Sequence, residues 1–379
     1  MRLLNILTPG RLVKTALIAL LMLAALPAAA AGNGDADTAK AINPKEIIFE
    51  HLLDGYGWEV PFNHHKRIPL PVIVWANDGL HCFSSAHLDH GASYTDNGTT
   101  FVIAGADSEY KGKVVEVTAD GKEIRPVDIS ITKNVCALFI TVLLVAGLML
   151  WLAAFLRRNP YKAPRKGLGM IEVCVTFVYD GVIKAILGPS ARKFAPYLMT
   201  VFFFILFMNL LGLVVIFPGG ANLTGNIAVT LVLSICTFIA TNLFANKHYW
   251  KEIFWPEVPI WLKCPIPIMQ VIEVFGMFTK PAALTVRLFA NMMGGHMIVI
   301  TLTLLIFIFS AISPVAGGGA TVISLFFSIF MLLIDVLVSF IQAYVFTMLS
   351  TIFIGIAQEK PHDEHGKTSV GKEIEEALV

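Results

Sequence analysis

The chain of 379 residues is short of charge: Asp, Glu, Lys and Arg make up 15% of it, against roughly 25% in soluble proteins. That shortage excludes a water-soluble globular protein as the main reading. What charge there is nearly cancels. Against 27 Asp and Glu stand 28 Lys and Arg, a formal net charge of +1, which leaves no global field to attract nucleic acid or an acidic partner. Cysteine is scarce too. Cys82, Cys136, Cys174, Cys236 and Cys264 stand apart with no C-x-x-C pair, so neither a disulfide framework nor a metal centre of the zinc type is indicated. What the chain has is apolar, with 56% hydrophobic residues, 27 Phe and 13 Met. A disordered chain must be poor in such residues, so disorder is excluded as well.

Arg2, Arg11 and Lys14 precede an apolar run over residues 16–26, followed by Pro27 and the small residues Ala28, Ala29, Ala30 and Ala31. This order of charged, apolar and small residues is that of a secretory signal peptide. The run is too short to cross roughly 30 Å of hydrocarbon, so residues 1–31 are expected to be removed and the next segment to be exported. Residues 32–132 turn mixed and polar. A short helix is expected over residues 44–53, capped by Asn43, with Ile47, Ile48 and Leu52 near helical spacing. A β-hairpin is expected over residues 113–127, turning at Asp120-Gly121 between alternating strands. His51, His64, His65, His81, His87 and His90, with Asp89 and Cys82 nearby, match no closed zinc spacing and are expected to be solvated.

Residues 135–156 carry no charge and are long enough to cross a membrane once. Arg157, Arg158, Lys162, Arg165 and Lys166 follow at once, which places that end in the cytoplasm and agrees with an exported start. Residues 171–187, with Glu172, Asp180 and Lys184 interspersed, are expected along the cytoplasmic interface. Residues 197–217 cross back, 218–225 make an uncharged outer turn, and 226–245 return to Lys247, His248, Lys251 and Glu252. After Pro256, Pro259, Pro265 and Pro267 come the two longest apolar stretches, 268–309 and 320–357. Both exceed a perpendicular span and must tilt, kink or lie partly outside the hydrocarbon. The expected fold class is an all-α polytopic membrane protein of about five membrane helices, two of them long and tilted. An exported mixed α/β amino-terminal segment precedes them, and residues 358–379 form a cytoplasmic tail. No internal repeat is apparent, which argues against an inverted-repeat transporter.

The chemistry sits in the last two helices. Arg287 lies in an apolar stretch with no acid to neutralise it, at a cost of about 2.5 to 3.5 kcal/mol on insertion scales, and it cannot escape by deprotonation. At about 100° per residue, Asn291 falls almost above Arg287 and His296 on the opposite side. Ala290 and Gly294, spaced as small-xxx-small, are expected to admit a neighbouring helix on the arginine side. On the last helix Asp335, Ser339 and Gln342 form one polar stripe. Asp335 is positioned to pass protons with His296, and Gln342 to hydrogen-bond Arg287 or a substrate carboxylate.

Glu273-Val-Phe-Gly-Met-Phe-Thr-Lys-Pro, running into Val286-Arg-Leu-Phe-Ala-Asn-Met-Met-Gly-Gly-His, resembles subunit a of the F-type ATP synthase. So do Ile341-Gln-Ala-Tyr-Val-Phe-Thr-Met-Leu, Phe194-Ala-Pro-Tyr, Asn209-Leu-Leu-Gly-Leu and Asn226-Ile-Ala-Val-Thr. The resemblance implies a non-catalytic stator subunit of the bacterial inner membrane that carries protons to and from a rotating ring. Its implied partners are the ring subunits c, the peripheral-stalk subunit b and the rest of the synthase, with no cofactor. Arg287 matches the essential arginine that faces the ring carboxylate, and Gln342 the polar residue opposite it. His296 and Asp335 match an acid and histidine pair in histidine-first order, and Glu273 and Asn291 match polar positions near the proton path. The segment 32–132 is larger than the family's usual amino-terminal segment. The competing reading is a stand-alone channel or transporter in which Arg287 binds an anionic substrate.

Overall fold

The computed structural model describes residues 54–358, except 61–62, 77, 97, 106–107, 109, 119–121, 162, 165–166, 215–219, 255–267 and 313. The expected signal peptide, the helix over 44–53, the turn at Asp120-Gly121 and the tail lie outside the described residues. The chain divides into two units, residues 1–51 with 297–331 and residues 52–296 with 332–379. Among its described residues the first unit is helical throughout. The second carries everything that follows except the described residues of 297–331, which lie in the two last helices.

Its amino-terminal part is a β-domain of antiparallel sheets. Strands β1 (Gly57–Val60) and β2 (Asn63–Pro69) form one pair. Strand β3 (Pro71–Ala76) pairs on one side with β4 (Gly79–Ser84). Strands β5 (Tyr94–Asp96), β6 (Thr99–Ile103), β7 (Val114–Val117) and β8 (Glu123–Ile124) form a meander, and β9 (Val127–Asp128) returns to the other side of β3. Alternation along β3 turns Val72, Val74 and Ala76 inward against Phe83, Leu88, Phe101 and Val114. The expected hairpin is present but shorter, in the register Glu116↔Ile124. Pro126 has no N–H to continue the ladder, and Val127 pairs instead with Trp75 of β3.

Solvated histidines are only part of the picture. His81 is buried, its Nδ1 2.9 Å from Asp96 Oδ2 and its ring against Phe101, while exposed His87 stacks on Tyr94. Among the described residues no three His, Cys, Asp or Glu side chains are grouped to hold a metal.

The rest is helical. Helix α1 (Lys133–Arg158) starts at Thr132, whose hydroxyl accepts from the Val135 N–H. Helix α2 (Gly167–Val178) runs through a π turn (Tyr179–Ile183) into α3 (Lys184–Leu187), which ends at Gly188 with φ of 52°. A side chain there would be strained, so glycine suits the break. Helix α4 (Ala191–Leu213) is followed by α5 (Ile227–Leu243), capped by the Asn226 side chain, and by α6 (Lys247–Phe254). Two helices of 45 residues each, α7 (Ile268–Ile312) and α8 (Pro314–Gln358), close the described chain.

Among the described residues four helical stretches are long and apolar enough to cross a membrane: Lys133–Arg158, Gly167–Leu213, Met269–Ile306 and Gly318–Gln358. Helix α5 is a shorter apolar helix of 17 residues. Large apolar side chains such as Leu143, Leu150 and Leu243 point outward, as expected where the solvent is lipid. Helix α4 is the hub. Its Leu198, Val201, Phe202 and Ile205 are buried in one cluster with Leu284 and Leu288 of α7 and Ala343, Phe346 and Ile354 of α8. In lipid such contacts act through close packing rather than through release of water.

Candidate functional site

Two cavities abut α7. The first is lined by Asn209 and Leu213 of α4, by Leu288, Asn291, Met292, Gly295 and His296 of α7, and by Asp335, Val338, Ser339 and Gln342 of α8. It has room for about one water molecule. The second is lined by Ser234, Thr237, Thr241 and Asn242 of α5, Tyr249 of α6, Met277, Lys280, Pro281 and Leu284 of α7, and Phe353 of α8. Arg287 falls between the two sets of lining residues and lines neither. Only four residues, about 6 Å of helix rise, separate Leu284 at the end of one cavity from Leu288 at the start of the other.

The first cavity follows from a glycine. A Cβ on Gly295 would stand 2.8 Å from Asp335 Oδ1, so only glycine lets the Asp335 carboxylate come against the α7 backbone. The arginine side, where Ala290 and Gly294 were expected to admit a neighbouring helix, is left open by the described residues of this chain. Nothing lies within 4 Å of a Cβ built on Gly294, and Ala290 is exposed. In a right-handed helix the step from 294 to 295 turns about 100°, which moves the tight contact off the arginine side and onto the cavity side.

Gln342 is also differently engaged. Its buried Oε1 accepts from Asn291 Nδ2 at 3.1 Å, rather than bonding Arg287, because Asn291 is the α7 amide that faces α8. The Gln342 Nε2 and the His296 Nε2 are buried without a partner among the described residues. Asn291 and His296, read from the helix wheel as opposed through Arg287, thus share one cavity whose axis runs between them. Ser339 donates to the Asp335 carbonyl at 2.7 Å. Arg287 is exposed, in a stretch where Ala282, Ala283, Val286 and Ala290 are exposed too. Glu273 stands apart from the first cavity. Its charge bears on Tyr249, whose phenol is pushed up first by burial and then by Glu273.

A family profile described as ATP synthase A chain matches residues 136–355. The chain belongs to this family. It is therefore a membrane-embedded, non-catalytic subunit a, the proton-translocating stator of an F-type ATP synthase, working within that complex with its rotor ring. ATP synthase subunit a of Chlorobium phaeobacteroides is 39% identical over 251 residues, 64% of this chain and 69% of its own. ATP synthase subunit a 2 of Chlorobaculum tepidum is 40% identical over 262 residues, 66% of this chain and 70% of its own. The subunit a of Chloroherpeton thalassium is 40% identical over 263 residues, 66% and 72%. A second profile, described as Domain of unknown function (DUF8433), matches residues 47–133, so the β-domain is a recognisable unit apart from the subunit a region.

Sequence reasoning quoted Asn209 only at the head of a family motif and gave it no role, and it did not single out the polar side of α5. Asn209 is buried in α4 and its Oδ1 accepts from Thr224 Oγ1 at 2.9 Å. On α5, Thr230, Ser234, Thr237 and Thr241 are buried. Ser234 Oγ lies 2.5 Å from Thr285 Oγ1, and Thr237 Oγ1 lies 3.0 Å from the Tyr197 hydroxyl. The spacing of four, three and four residues is a helical stripe and was open to reading. A lone Asn in an apolar helix gives no such signal.

Proposed function

We propose that the two cavities are the two proton half-channels of this stator and that Arg287 is the fixed charge between them. The observation that carries this reading is the position of Arg287, exposed on α7 between two separate cavities that each have polar side chains on their lining. The small side chains around it, Ala282, Ala283 and Ala290, leave room for the ring of c subunits to come close. A ring carboxylate beside Arg287 stays ionised, because an opposite charge within about 4 to 6 Å lowers a carboxylate pKa by one to three units. Facing lipid, the same carboxylate must be neutral. Each ring subunit therefore takes a proton from one cavity before entering lipid and releases it into the other before reaching Arg287. His296 and Asp335 form the relay of the first cavity, with Asn209, Asn291, Ser339 and Gln342 ordering the water between them. Glu273, with Tyr249, marks the far end of the second. A membrane potential of 100 mV supplies about 2.3 kcal/mol per proton to bias the rotation.

The membrane topology goes with this reading. Residues 1–31 are a cleaved signal peptide, 32–132 are periplasmic, and 133–357 cross the inner membrane about five times, α5 included. Residues 358–379 are cytoplasmic, and subunit b of the peripheral stalk holds the assembly still. The Arg157 and Arg158 pair at the end of α1, with Lys247 and Lys251 on α6, supports that orientation.

The test is Arg287→Ala and Arg287→Lys in the intact complex. Lysine keeps the charge but loses the planar fork, and alanine loses both. Coupled ATP synthesis is expected to vanish in either variant while the complex still assembles; substantial synthesis by Arg287→Ala would remove the proposal.

A further inference from the structure

The β-domain takes no part in the mechanism so far, yet its attachment to the membrane part is specific. Trp58 of β1 is 2% exposed and buried in one apolar cluster with Ala137 of α1, Met208 of α4, and Ala221 and Leu223 of the α4–α5 turn. Two hydrogen bonds tie down the same end. The Lys133 N–H donates to the Gly55 carbonyl at 2.9 Å, and the Asn134 N–H to the Asp54 carboxylate at 3.2 Å.

These contacts fall on the roof of the first cavity. Met208 precedes Asn209, a lining residue, and Leu223 precedes Thr224, which donates to Asn209. A Cβ on Gly212 would stand 3.4 Å from the Ala221 carbonyl and 3.9 Å from His296 Nε2. Trp58 thus lies against segments whose next residues face the cavity or its histidine. The groups at the α1 end are of another kind. Lys133 is half-buried and near enough for its charge to bear on His296. Asp54 and Asp128 both bear on Tyr56 at that junction, and the Tyr56 hydroxyl donates to Asp128. The charged groups that face the His296 site are therefore Lys133 on α1 and Asp335 on α8, while α4 contributes the uncharged Asn209.

We propose that the β-domain is the lid of the first half-channel: Trp58 shuts the way in over the α4–α5 turn, and protons reach His296 past the junction of Lys133, Asn134 and Asp54. This rests on the first cavity being a half-channel. A rigid indole packed among Met208, Ala221 and Leu223 excludes water, whereas an ammonium, an amide and a carboxylate at one junction keep it. The lid confines proton traffic to a path past the Lys133 ammonium, the Asp54 carboxylate there being engaged by the Asn134 N–H.

The test uses Asn209→Cys in the intact complex, treated from the periplasmic side with a cationic or an anionic water-soluble thiol reagent. With Trp58 in place the anionic reagent is expected to react several-fold faster than the cationic one, because Lys133 flanks the path, and Lys133→Gln is expected to erase that preference. Trp58→Ala is expected to raise labelling by both reagents about tenfold, the loss of roughly 1.4 kcal/mol of barrier, and to abolish the preference. Leu223→Ala opens the same seal without touching the β-domain and is expected to act alike, so the test survives if Trp58→Ala does not assemble. Labelling that ignores Trp58, Leu223 and Lys133 would overturn the lid and leave the half-channel standing. No labelling in any variant of an active complex would overturn both.

Discussion

The two cavities along α7 are built from different chemistry. The first holds a carboxylate, an imidazole, a hydroxyl and three amides in Asp335, His296, Ser339, Asn209, Asn291 and Gln342. The second holds hydroxyls, one amide, a phenol and an ammonium, with no carboxylate or imidazole on its lining. Lys280 places its ammonium 5.5 Å from the Phe353 ring centre. An imidazole beside a carboxylate can capture and hold a proton. A site with hydroxyls and a fixed cation conducts a proton but does not store it, and the cation lowers the proton affinity of a nearby carboxylate. On the reading proposed above, the asymmetry favours loading from the first cavity and unloading into the second.

The largest effects that test this contrast, after loss of Arg287, are expected at the relay. His296→Ala and Asp335→Ala should each slow proton flux and shift its pH dependence, because one titratable step is missing. The swap His296→Asp with Asp335→His restores an acid and an imidazole at the same places and should recover more flux than either single variant. Coupled residues behave in this way, while independent contacts add. Flux through the swap equal to the product of the two single defects would break the pairing.

A smaller effect is expected at the glycine that brings Asp335 to α7. Gly295→Ala drives a methyl group into the carboxylate and should slow flux several-fold with assembly intact, at an overpacking cost of about 1 to 3 kcal/mol. Flux unchanged from that of the unaltered complex would show that the Asp335 approach is incidental. The smallest effect belongs to the β-domain. Burial and the Asp128 hydrogen bond push the Tyr56 phenol well above its ordinary range, so the hydroxyl stays protonated and keeps donating throughout the working pH range. Tyr56→Phe leaves Asp128 and the Val114 N–H without that partner. It should lower the thermal stability of the assembled subunit by about 1 to 3 kcal/mol, with little change in flux, as read by its unfolding midpoint in detergent.

The apolar helices were legible because each is local. Residues 268–309 were expected to form a helix that runs over Ile268–Ile312, and residues 135–156 one that runs over Lys133–Arg158. Capping and charge mark such ends within a few residues. Arg287 was legible because a charge in an apolar run is conspicuous. The partner of Gln342 was not. Asn291 lies 51 residues away, and only the packing of α7 on α8 decides which amide meets it. The same holds for Val127, which leaves the expected hairpin for a strand more than 50 residues earlier. Asn209 joins the site through the packing of α4 alone, and no periodicity announces it. Long-range pairing and inter-helix contact carry no mark in a single sequence, whereas helix period, caps and stray charges do.

The central claim is that water reaches α7 from opposite sides of the membrane on either side of Arg287. In sealed vesicles of the assembled, active complex, Ser339→Cys probes the first cavity and Thr241→Cys the second, with a membrane-impermeant thiol reagent added to one face at a time. The account predicts that the Ser339 position reacts only from the periplasmic face and the Thr241 position only from the cytoplasmic face. Reaction of both positions from the same face would contradict it.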